Sequence, residues 1–322
     1  MMTIDILLTG AAIPSARDAL AEAYTLHHLP DIVDVPAWAA RDGNRIRGIA
    51  ATNGVPVSGK LIEALPKLEI IAGFGVGYDN IDVAAAVNQG VVVTHTPDVL
   101  SDEVADLTIG LLLATIRQIP QADRFLRAGE WLEKPFPLTA TLRGRTIGIF
   151  GLGRIGVAIA ERLAAFGVTI LYHNRRPRTD VPFQYVGTLK DLATQADVLI
   201  IAAPGGSETH HAVNAEVLTA LGRDGILINI GRGSTVDEPA LIRALENGDI
   251  LSAGLDVFED EPHVPEALKA IERVVLLPHV ASASVHTRDA MGRLMVDNLR
   301  SWFAGKGPLT PVPETPWPQV DA

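Results

Sequence analysis

The most informative absence in this 322-residue sequence is cysteine, which does not occur at all. Without thiols the protein has no disulfides, no thiolate metal sites and no cysteine nucleophile, which is compatible with a reducing cytoplasm. Positive charge is also in deficit, because 27 lysines and arginines face 38 acidic residues, and the net charge of −11 argues against a nucleic-acid partner. The longest apolar run, 107–116, is too short to cross a bilayer, and the first residues lack the basic region of a signal peptide. We therefore expect a soluble cytoplasmic protein without a membrane or nucleic-acid partner.

What the sequence does contain is typical of a globular enzyme. Hydrophobic residues make up 48% of the chain and charged residues 20%, and the length suggests two domains. Apolar runs alternate with helical segments, which predicts parallel sheets covered by helices on both faces. We predict an α/β protein of two Rossmann-like domains, each a doubly wound parallel sheet, with a cleft between them. Residues 1–97 and 287–322 form the predicted substrate-binding domain, and residues 98–286 form the predicted dinucleotide-binding domain.

The best-defined motif is the glycine-rich sequence 151–156, GLGRIG, which follows the apolar run 146–150. In a βαβ unit, the first glycine of GxGxxG makes the tight turn, the second admits a pyrophosphate, and the third lets the helix pack on the strand. The helical segment 157–166 and the second apolar run 168–172 complete the unit, so the motif predicts dinucleotide binding. The alternative is a glycine-rich turn without a ligand. The expected cofactor contacts here are Leu152, Gly153, Arg154 and Ile155.

The residues after the second predicted strand indicate which dinucleotide is bound. An acidic residue about 20 positions beyond the fingerprint usually binds the ribose of NAD, but here the sequence is Asn174-Arg175-Arg176, with no carboxylate before Asp180. A guanidinium binds a 2′-phosphate with charge-assisted hydrogen bonds, whereas a carboxylate would repel it. We therefore predict NADP(H) in preference to NAD(H). The alternative is a solvated basic turn.

Three chemically suitable side chains follow later predicted strands. Arg232, Glu261 and His279 should lie at the same sheet edge as the glycine loop, because ligands of such sheets bind at the carboxyl ends of the strands. These residue types suit the reduction of a 2-keto acid. A histidine can protonate the developing alkoxide, a carboxylate can hold the imidazole, and a guanidinium can clamp the substrate. Taken singly, each residue has an alternative interpretation. Arg232 could form a surface salt bridge, Glu261 could be a solvated loop acid, and His279 could be a buried histidine with satisfied hydrogen bonds.

Four sequence blocks together resemble the D-isomer-specific 2-hydroxyacid dehydrogenase family over nearly the whole chain. They are 151–156, 229–233, 254–262 and 278–279. The resemblance implies that Arg232 clamps the substrate, His279 is the general acid and Glu261 is its partner. It also implies further cofactor contacts, at Pro204, Thr209, Ile230, Asp256 and Ala281. Ala281 stands where glycine is commoner in the family.

The same resemblance gives the first domain a role. The loop 73–80 resembles the family's substrate loop, in which the backbone N–H groups of Val76 and Gly77 would bind the carboxylate; the alternative is a tight turn without a ligand. Segment 100–106 resembles an interdomain helix that also builds a dimer interface, which implies a homodimer through the nucleotide-binding domain. Trp131 is either a pocket residue or a core or interface residue.

No metal site is predicted, because the histidine pairs at 27–28 and 210–211 lack neighbouring ligands in the sequence and are interpreted as surface residues. Within the family, the Asn-Arg-Arg sequence resembles NADPH-using glyoxylate/hydroxypyruvate reductases and their relatives acting on 2-ketogluconate. We therefore predict an NADPH-dependent reductase of small 2-keto acids, glyoxylate and hydroxypyruvate. The alternatives are a 2-ketogluconate reductase and a dinucleotide-sensing protein that resembles the corepressors of this fold.

Overall fold

The structure of the protein is a computed structural model that describes residues 4–52, 54–315 and 317. It divides into two compact units, Met1–Leu100 with Ser284–Ala322, and Ser101–Ala283. In the part of the chain that the structure describes, no helix combines the length and the apolar character that a membrane span requires.

The first unit begins with alternating strands and helices. In chain order they are β1 Asp5–Leu8, α1 Pro14–Ala23, β2 Thr25–His28, α2 Val35–Asp42, β3 Ile46–Ala51, α3 Gly59–Glu63, β4 Ile70–Gly73, α4 Val83–Asn88 and β5 Val92–Thr94. The five strands form a parallel sheet in the order β2-β1-β3-β4-β5. Successive residues of β1 point to opposite faces, so that Leu7 enters one core while Ile6 and Leu8 enter the other. The sheet is therefore covered on both faces.

The second unit contains the remaining strands. In chain order its elements are α5 Ser101–Ile116, α6 Ile119–Arg127, β6 Thr146–Phe150, α7 Arg154–Ala164, β7 Thr169–His173, β8 Gln184–Tyr185, α8 Leu189–Gln195, β9 Val198–Ile201, α9 Ala215–Leu221, β10 Ile226–Asn229, α10 Glu238–Asn247, β11 Ser252–Leu255, α11 Glu266–Lys269 and β12 Val275–Leu276. All seven strands are parallel, in the order β12-β11-β10-β9-β6-β7-β8. The order reverses between β6 and β9, and a ligand of such a sheet binds beside that reversal.

The last helix, α12 Val285–Phe303, belongs to the first unit. It buries Met295 and Leu299 in the core cluster that also contains Ile6. Beyond it, Pro311 forms an antiparallel bridge with Thr94, at the edge strand β5. The final segment thus returns to the sheet at which the chain begins.

The two doubly wound parallel sheets confirm the predicted fold class, but several small elements were not predicted. These are β2, α2, β8 and α11. The sequence of β2 is Thr-Leu-His-His, with no apolar run, because it lies at a sheet edge and none of its residues is fully buried. The helix α12 also starts two residues earlier than predicted, since the Ser284 side chain caps it by accepting a hydrogen bond from the Thr287 N–H.

Candidate active site

The glycine turn after β6 has the form that a bound pyrophosphate requires. A Cβ on Gly156 would lie 2.3 Å from the Gly151 carbonyl oxygen, so only glycine lets α7 begin this close to the strand. At Gly153, by contrast, an added Cβ would meet nothing within 4 Å. Gly153 has no side chain with which to cap α7, and the N–H groups at the start of a helix have no acceptor within the helix, which favours an anion at this end. The turn therefore fits a dinucleotide phosphate.

Two residues that follow β7 fix this turn. Asn174 Oδ1 accepts a hydrogen bond of 2.6 Å from the Leu152 N–H, and Arg178 Nη1 donates one of 2.9 Å to the Leu152 carbonyl. Arg178 is in turn paired with Asp180, and this ion pair lowers the pKa of the Asp180 carboxyl. The side-chain oxygen of Asn174 is therefore engaged by the turn, and its Nδ2 is the group it can offer to a ribose.

The two predicted phosphate-binding arginines are on the surface beside this turn. Arg175 Nη1 lies 2.7 Å from Glu208 Oε2, and both side chains are largely exposed, at 83% and 68%. Arg176 is also exposed. Glu208 belongs to the loop that carries Pro204 and Thr209, where the Thr209 hydroxyl donates 2.7 Å to the Pro204 carbonyl. The two loops on which cofactor contacts were predicted are thus joined by an ion pair.

The turn that carries Arg232 is held against two other segments. Asn229 accepts a hydrogen bond from the Gly231 N–H and donates one of 3.0 Å to the Arg232 carbonyl. A Cβ on Gly233 would lie 1.8 Å from the Phe258 carbonyl carbon, so this glycine permits a contact that no other residue allows. Arg232 Nη1 donates to the Gly231 carbonyl at 2.8 Å. The Gly-Arg-Gly turn is therefore packed against the segment that precedes Glu261, and the positive charge of Arg232 acts on the Glu261 carboxylate.

His279 and Glu261 form a short ion pair. His279 Nδ1 lies 2.6 Å from Glu261 Oε2, and Glu261 Oε1 accepts from the Phe258 N–H at 3.0 Å. Burial acts to raise the pKa of Glu261, but the hydrogen bonds from His279 and Phe258 and the positive charges of His279 and Arg232 outweigh it and hold this pKa below its usual value. Glu261 therefore stays ionised beside Nδ1, and Nε2 is the ring nitrogen of His279 that does not contact this carboxylate.

Asp256 holds the backbone on which His279 stands. It is fully buried, and its two carboxylate oxygens accept hydrogen bonds of 2.8 Å from the N–H groups of Val280 and Ala281. Its carbonyl accepts from the His279 N–H at 2.9 Å. His279 has a φ of +54°, a left-handed conformation that only a few per cent of residues other than glycine adopt. Asp256, predicted only as a neighbour of the nicotinamide, thus stabilises an unusual turn. Ile230 directly follows β10, the strand that pairs with β11.

The loop with Val76 and Gly77 lies in the first unit and is anchored from one side. His95 Nδ1 donates 2.9 Å to the Val76 carbonyl, while Thr96 and Gly75 exchange two hydrogen bonds. Among the described residues, no hydrogen-bond acceptor faces the N–H groups of Val76 and Gly77. The loop therefore offers two adjacent donors to an anion.

Tyr78, the next residue of this loop, is tied to the C-terminal segment. Its hydroxyl donates to both carboxylate oxygens of Glu314, at 3.0 and 3.1 Å. Burial and this hydrogen bond raise the pKa of Tyr78 to about 12, so the hydroxyl remains a donor. Sequence reasoning missed both His95 and Glu314, because nothing in the sequence places them beside a loop from which they are distant along the chain.

Comparison with known proteins decides the family. The model of the family described as D-isomer specific 2-hydroxyacid dehydrogenase, NAD binding domain, matches residues 109–281, more than half of the chain. The chain belongs to this D-isomer-specific 2-hydroxyacid dehydrogenase family. Its cofactor is accordingly a nicotinamide dinucleotide, as the glycine turn predicts.

Three relatives show where the chain lies within the dehydrogenase family. The glyoxylate/hydroxypyruvate reductase A HPR2 of Arabidopsis thaliana is 49% identical, over 84% of this chain and 86% of its own length. The 2-ketogluconate reductase of Gluconobacter oxydans is 40% identical, over 96% of this chain and 98% of its own length. One crystal structure is that of an NADPH-dependent glyoxylate/hydroxypyruvate reductase from Sinorhizobium meliloti in complex with NADP and malonate. Its sequence is 54% identical, the match covers 97% of this chain and 98% of that chain, and the TM-score is 0.92.

The structure changes the interpretation of three residues that the sequence singled out. His27 is not a surface histidine, since its side chain is 18% exposed and its Nε2 lies 2.7 Å from Asp5. Trp131 is 67% exposed and therefore is not a core residue. His211 does have neighbouring ligand groups, because Glu259 Oε1 lies 2.6 Å from its Nε2. Each correction depends on a contact or an exposure that a local sequence pattern does not report.

Proposed function

We propose that this dehydrogenase reduces glyoxylate and hydroxypyruvate to 2-hydroxy acids of the D series, with NADPH in preference to NADH. The observation that carries the proposal is the His279–Glu261 pair at 2.6 Å, in the loops that follow β12 and β11 of the sheet whose β6 leads into the glycine turn. The charge of Arg232 acts on the same Glu261. An imidazole, a carboxylate and a guanidinium gathered in this way suit the reduction of a keto group next to a carboxylate.

The residues present fit the dinucleotide. The uncapped first turn of α7 and the open space at Gly153 would hold its phosphates, and Leu152, Arg154 and Ile155 line the same turn. Asn174, Arg175 and Arg176 would meet the ribose and its 2′-phosphate, and Pro204 and Thr209 would lie along the cofactor. Ile230, Asp256 and Ala281 would lie near the nicotinamide. When bound, NADPH supplies the hydride.

The side chains of this chain supply the rest of the chemistry. Arg232 binds the carboxylate and the carbonyl oxygen of the substrate, which orients the keto carbon and stabilises the charge that develops on its oxygen. His279 Nε2 donates the proton to that oxygen. Glu261 keeps the proton on Nδ1 and stabilises the imidazolium. The N–H groups of Val76 and Gly77 would bind the substrate carboxylate.

Turnover on a panel of keto acids tests this proposal. NADPH oxidation is followed by its absorbance with glyoxylate, hydroxypyruvate and 2-ketogluconate, and each is repeated with NADH. We expect the highest kcat/KM with the two small acids and NADPH. A preference for 2-ketogluconate would assign the chain to the activity of its Gluconobacter relative. Binding of NADPH without turnover on any keto acid would favour the dinucleotide sensor.

We further propose a homodimer that forms through the dinucleotide-binding unit. The helix α6 has no buried residue, and five apolar side chains on and after it are exposed. They are Ile119 at 53%, Leu126 at 54%, Trp131 at 67%, Leu132 at 93% and Leu138 at 101%. A cluster of exposed apolar side chains in one segment indicates a covered surface in the assembled protein, and a second copy would cover it symmetrically. Light scattering should give a molar mass twice that of one chain, and in Leu132→Asp the measured mass should fall toward that of a single chain.

A further inference from the structure

A group of potential metal ligands lies in the second unit, apart from the groups assigned to hydride transfer. It consists of His210, His211 and Glu259, whose ligand atoms all lie within 4.8 Å of one another. Glu259 is 48 positions beyond His211, so the fold and not the local sequence assembles the group. The proposed reductase mechanism uses none of the three.

The side chains are already arranged as a set. The rings of His210 and His211 stack with centroids 4.0 Å apart and planes 29° from parallel. His211 Nε2 lies 2.6 Å from Glu259 Oε1, and these two side chains are 35% and 32% exposed. The group is thus open enough for an ion to enter, and small rotations of these partly exposed side chains would bring the three ligand atoms around one ion.

The backbone beneath the ligands is fixed from other elements. The His211 N–H donates to the Ser234 carbonyl at 2.8 Å, and Val213 forms a parallel bridge with Val236. The Glu259 N–H donates to Glu238 Oε1 at 2.7 Å. Because both segments are held before any ion arrives, binding would order few additional groups and would cost little conformational entropy.

We propose that His210, His211 and Glu259 bind a divalent transition-metal ion, Zn²⁺. Two imidazole nitrogens and one carboxylate oxygen are a ligand set that zinc accepts in tetrahedral geometry, with water in the fourth position. At zinc–ligand distances of about 2.0–2.2 Å, a tetrahedral site separates neighbouring ligand atoms by roughly 3.4 Å. The His211–Glu259 pair must therefore open slightly, which their partial exposure permits. The acidic residues that follow Glu259, at 260 and 261, favour a cation electrostatically.

The ion would link two segments that the proposed reductase uses. One is the loop of Pro204 and Thr209, which ends at the two histidines, and the other leads from Glu259 to Glu261. An ion that binds only the folded chain stabilises it in proportion to its occupancy, so zinc should raise the thermal midpoint of unfolding. This effect does not depend on which keto acid the protein reduces.

Zinc titration of the chelator-stripped full chain, produced without a histidine tag, tests the proposal. Calorimetry should show one saturable Zn²⁺ per chain, and the thermal midpoint should rise and return on addition of EDTA. Co²⁺ should give the absorption bands of a four-coordinate N/O site. His210→Asn should weaken Zn²⁺ binding by at least about tenfold, since it removes one of three protein ligands. Glu259→Gln, which preserves the shape of the side chain, should weaken it similarly.

The matched control is His263→Asn, which removes another exposed histidine a few positions beyond Glu259, near Asp260. Zinc affinity should be unchanged in this variant, and circular dichroism should show all variants folded. Equal affinity of the wild type and His210→Asn would overturn the proposal. So would binding that is abolished by His279→Asn and kept in His210→Asn, because the ion would then occupy the His279–Glu261 pair.

Discussion

Two regions of the second unit that should meet the cofactor are built in opposite ways. Around His279, the side chains depend on buried polar groups: Asp256 is 0% exposed and Asn229 is 1% exposed, and each makes two hydrogen bonds to a neighbouring turn. Around Arg175, the guanidinium is 83% exposed, and its carboxylate partner on the next loop is 68% exposed. The first region is fixed by the interior of the protein, and the second is set by solvent-exposed charges.

This difference suggests that the first region controls the placement of the reacting groups and the second controls the choice between NADPH and NADH. Loss of a buried hydrogen-bond partner costs about 1–3 kcal/mol, because the group left behind is desolvated and unpaired. An exposed ion pair contributes only about 0–1 kcal/mol. The residues proposed to place a proton within hydrogen-bond distance of the substrate are therefore preorganised, whereas the exposed arginines proposed to recognise the 2′-phosphate can exchange one anion for another. Substitutions in the first region should change kcat, and those in the second should change only which cofactor binds.

The largest expected effect follows from removal of the proposed general acid. His279→Asn should lower kcat by about 10²–10⁴-fold, the usual contribution of a positioned acid or base. The dissociation constant of NADPH should stay within a few-fold of the wild-type value, since the glycine turn is intact. Steady-state kinetics and a fluorescence titration measure the two quantities. A kcat within tenfold of the wild type would mean that another group protonates the substrate.

The next effect tests whether Asp256 acts through His279. In Asp256→Asn, one side-chain oxygen becomes an NH₂ group that faces a backbone N–H, so the 279–281 turn should lose its geometry. We expect kcat to fall by about 10–100-fold, which corresponds to the loss of one such buried hydrogen bond, and the thermal midpoint to fall. Added to His279→Asn, the substitution should lower kcat little further. Asp260→Asn, an exposed neighbour of the pair, is the matched control; fully additive losses would contradict a positioning role.

The sequence predicted most of what local pattern controls. The alternation of apolar runs and helical segments predicted two parallel sheets, and the glycines of 151–156 predicted the turn at the reversal of strand order. The residues at strand ends predicted the neighbourhood of Arg232, Glu261 and His279, because parallel strands present their carboxyl ends at one edge. Periodicity and turn chemistry are properties of neighbouring residues, and these predictions needed nothing more.

The rest depends on contacts between distant segments. The strand β2 was not predicted because it contains His27, whose polar ring contacts the carboxylate of Asp5 on the neighbouring strand β1. The left-handed turn at His279 depends on the buried carboxylate of Asp256, and a histidine at position 279 does not by itself predict such a turn. The ion pair between Arg175 and Glu208 likewise joins two loops. Each of these features could be found only after the chain was folded.

A smaller effect is expected in the exposed region. Arg175→Ala should raise the dissociation constant of NADPH by about 10–100-fold, the value of a hydrogen bond to a charged group, and leave that of NADH nearly unchanged. The kcat with saturating NADPH should also be retained, in contrast to the substitutions above. Arg243→Ala removes the same charge from another exposed position and controls for net charge. Equal losses for the two cofactors would show that Arg175 maintains the loop and does not recognise a phosphate.

The smallest effect concerns the carboxylate that competes with the phosphate. Glu208→Gln should tighten NADPH binding by up to about fivefold, because Arg175 no longer leaves an ion pair worth at most about 1 kcal/mol before it meets the 2′-phosphate. This gain in NADPH affinity should be smaller at high salt, because salt screens exposed charges. The affinity for NADH should be unchanged. Glu216→Gln, which frees Lys190 from a similar exposed pair at 2.6 Å, alters net charge equally and should have no effect. Weaker NADPH binding in Glu208→Gln would instead mean that Glu208 holds the guanidinium in its binding position, and this region would then be preorganised like the one around His279.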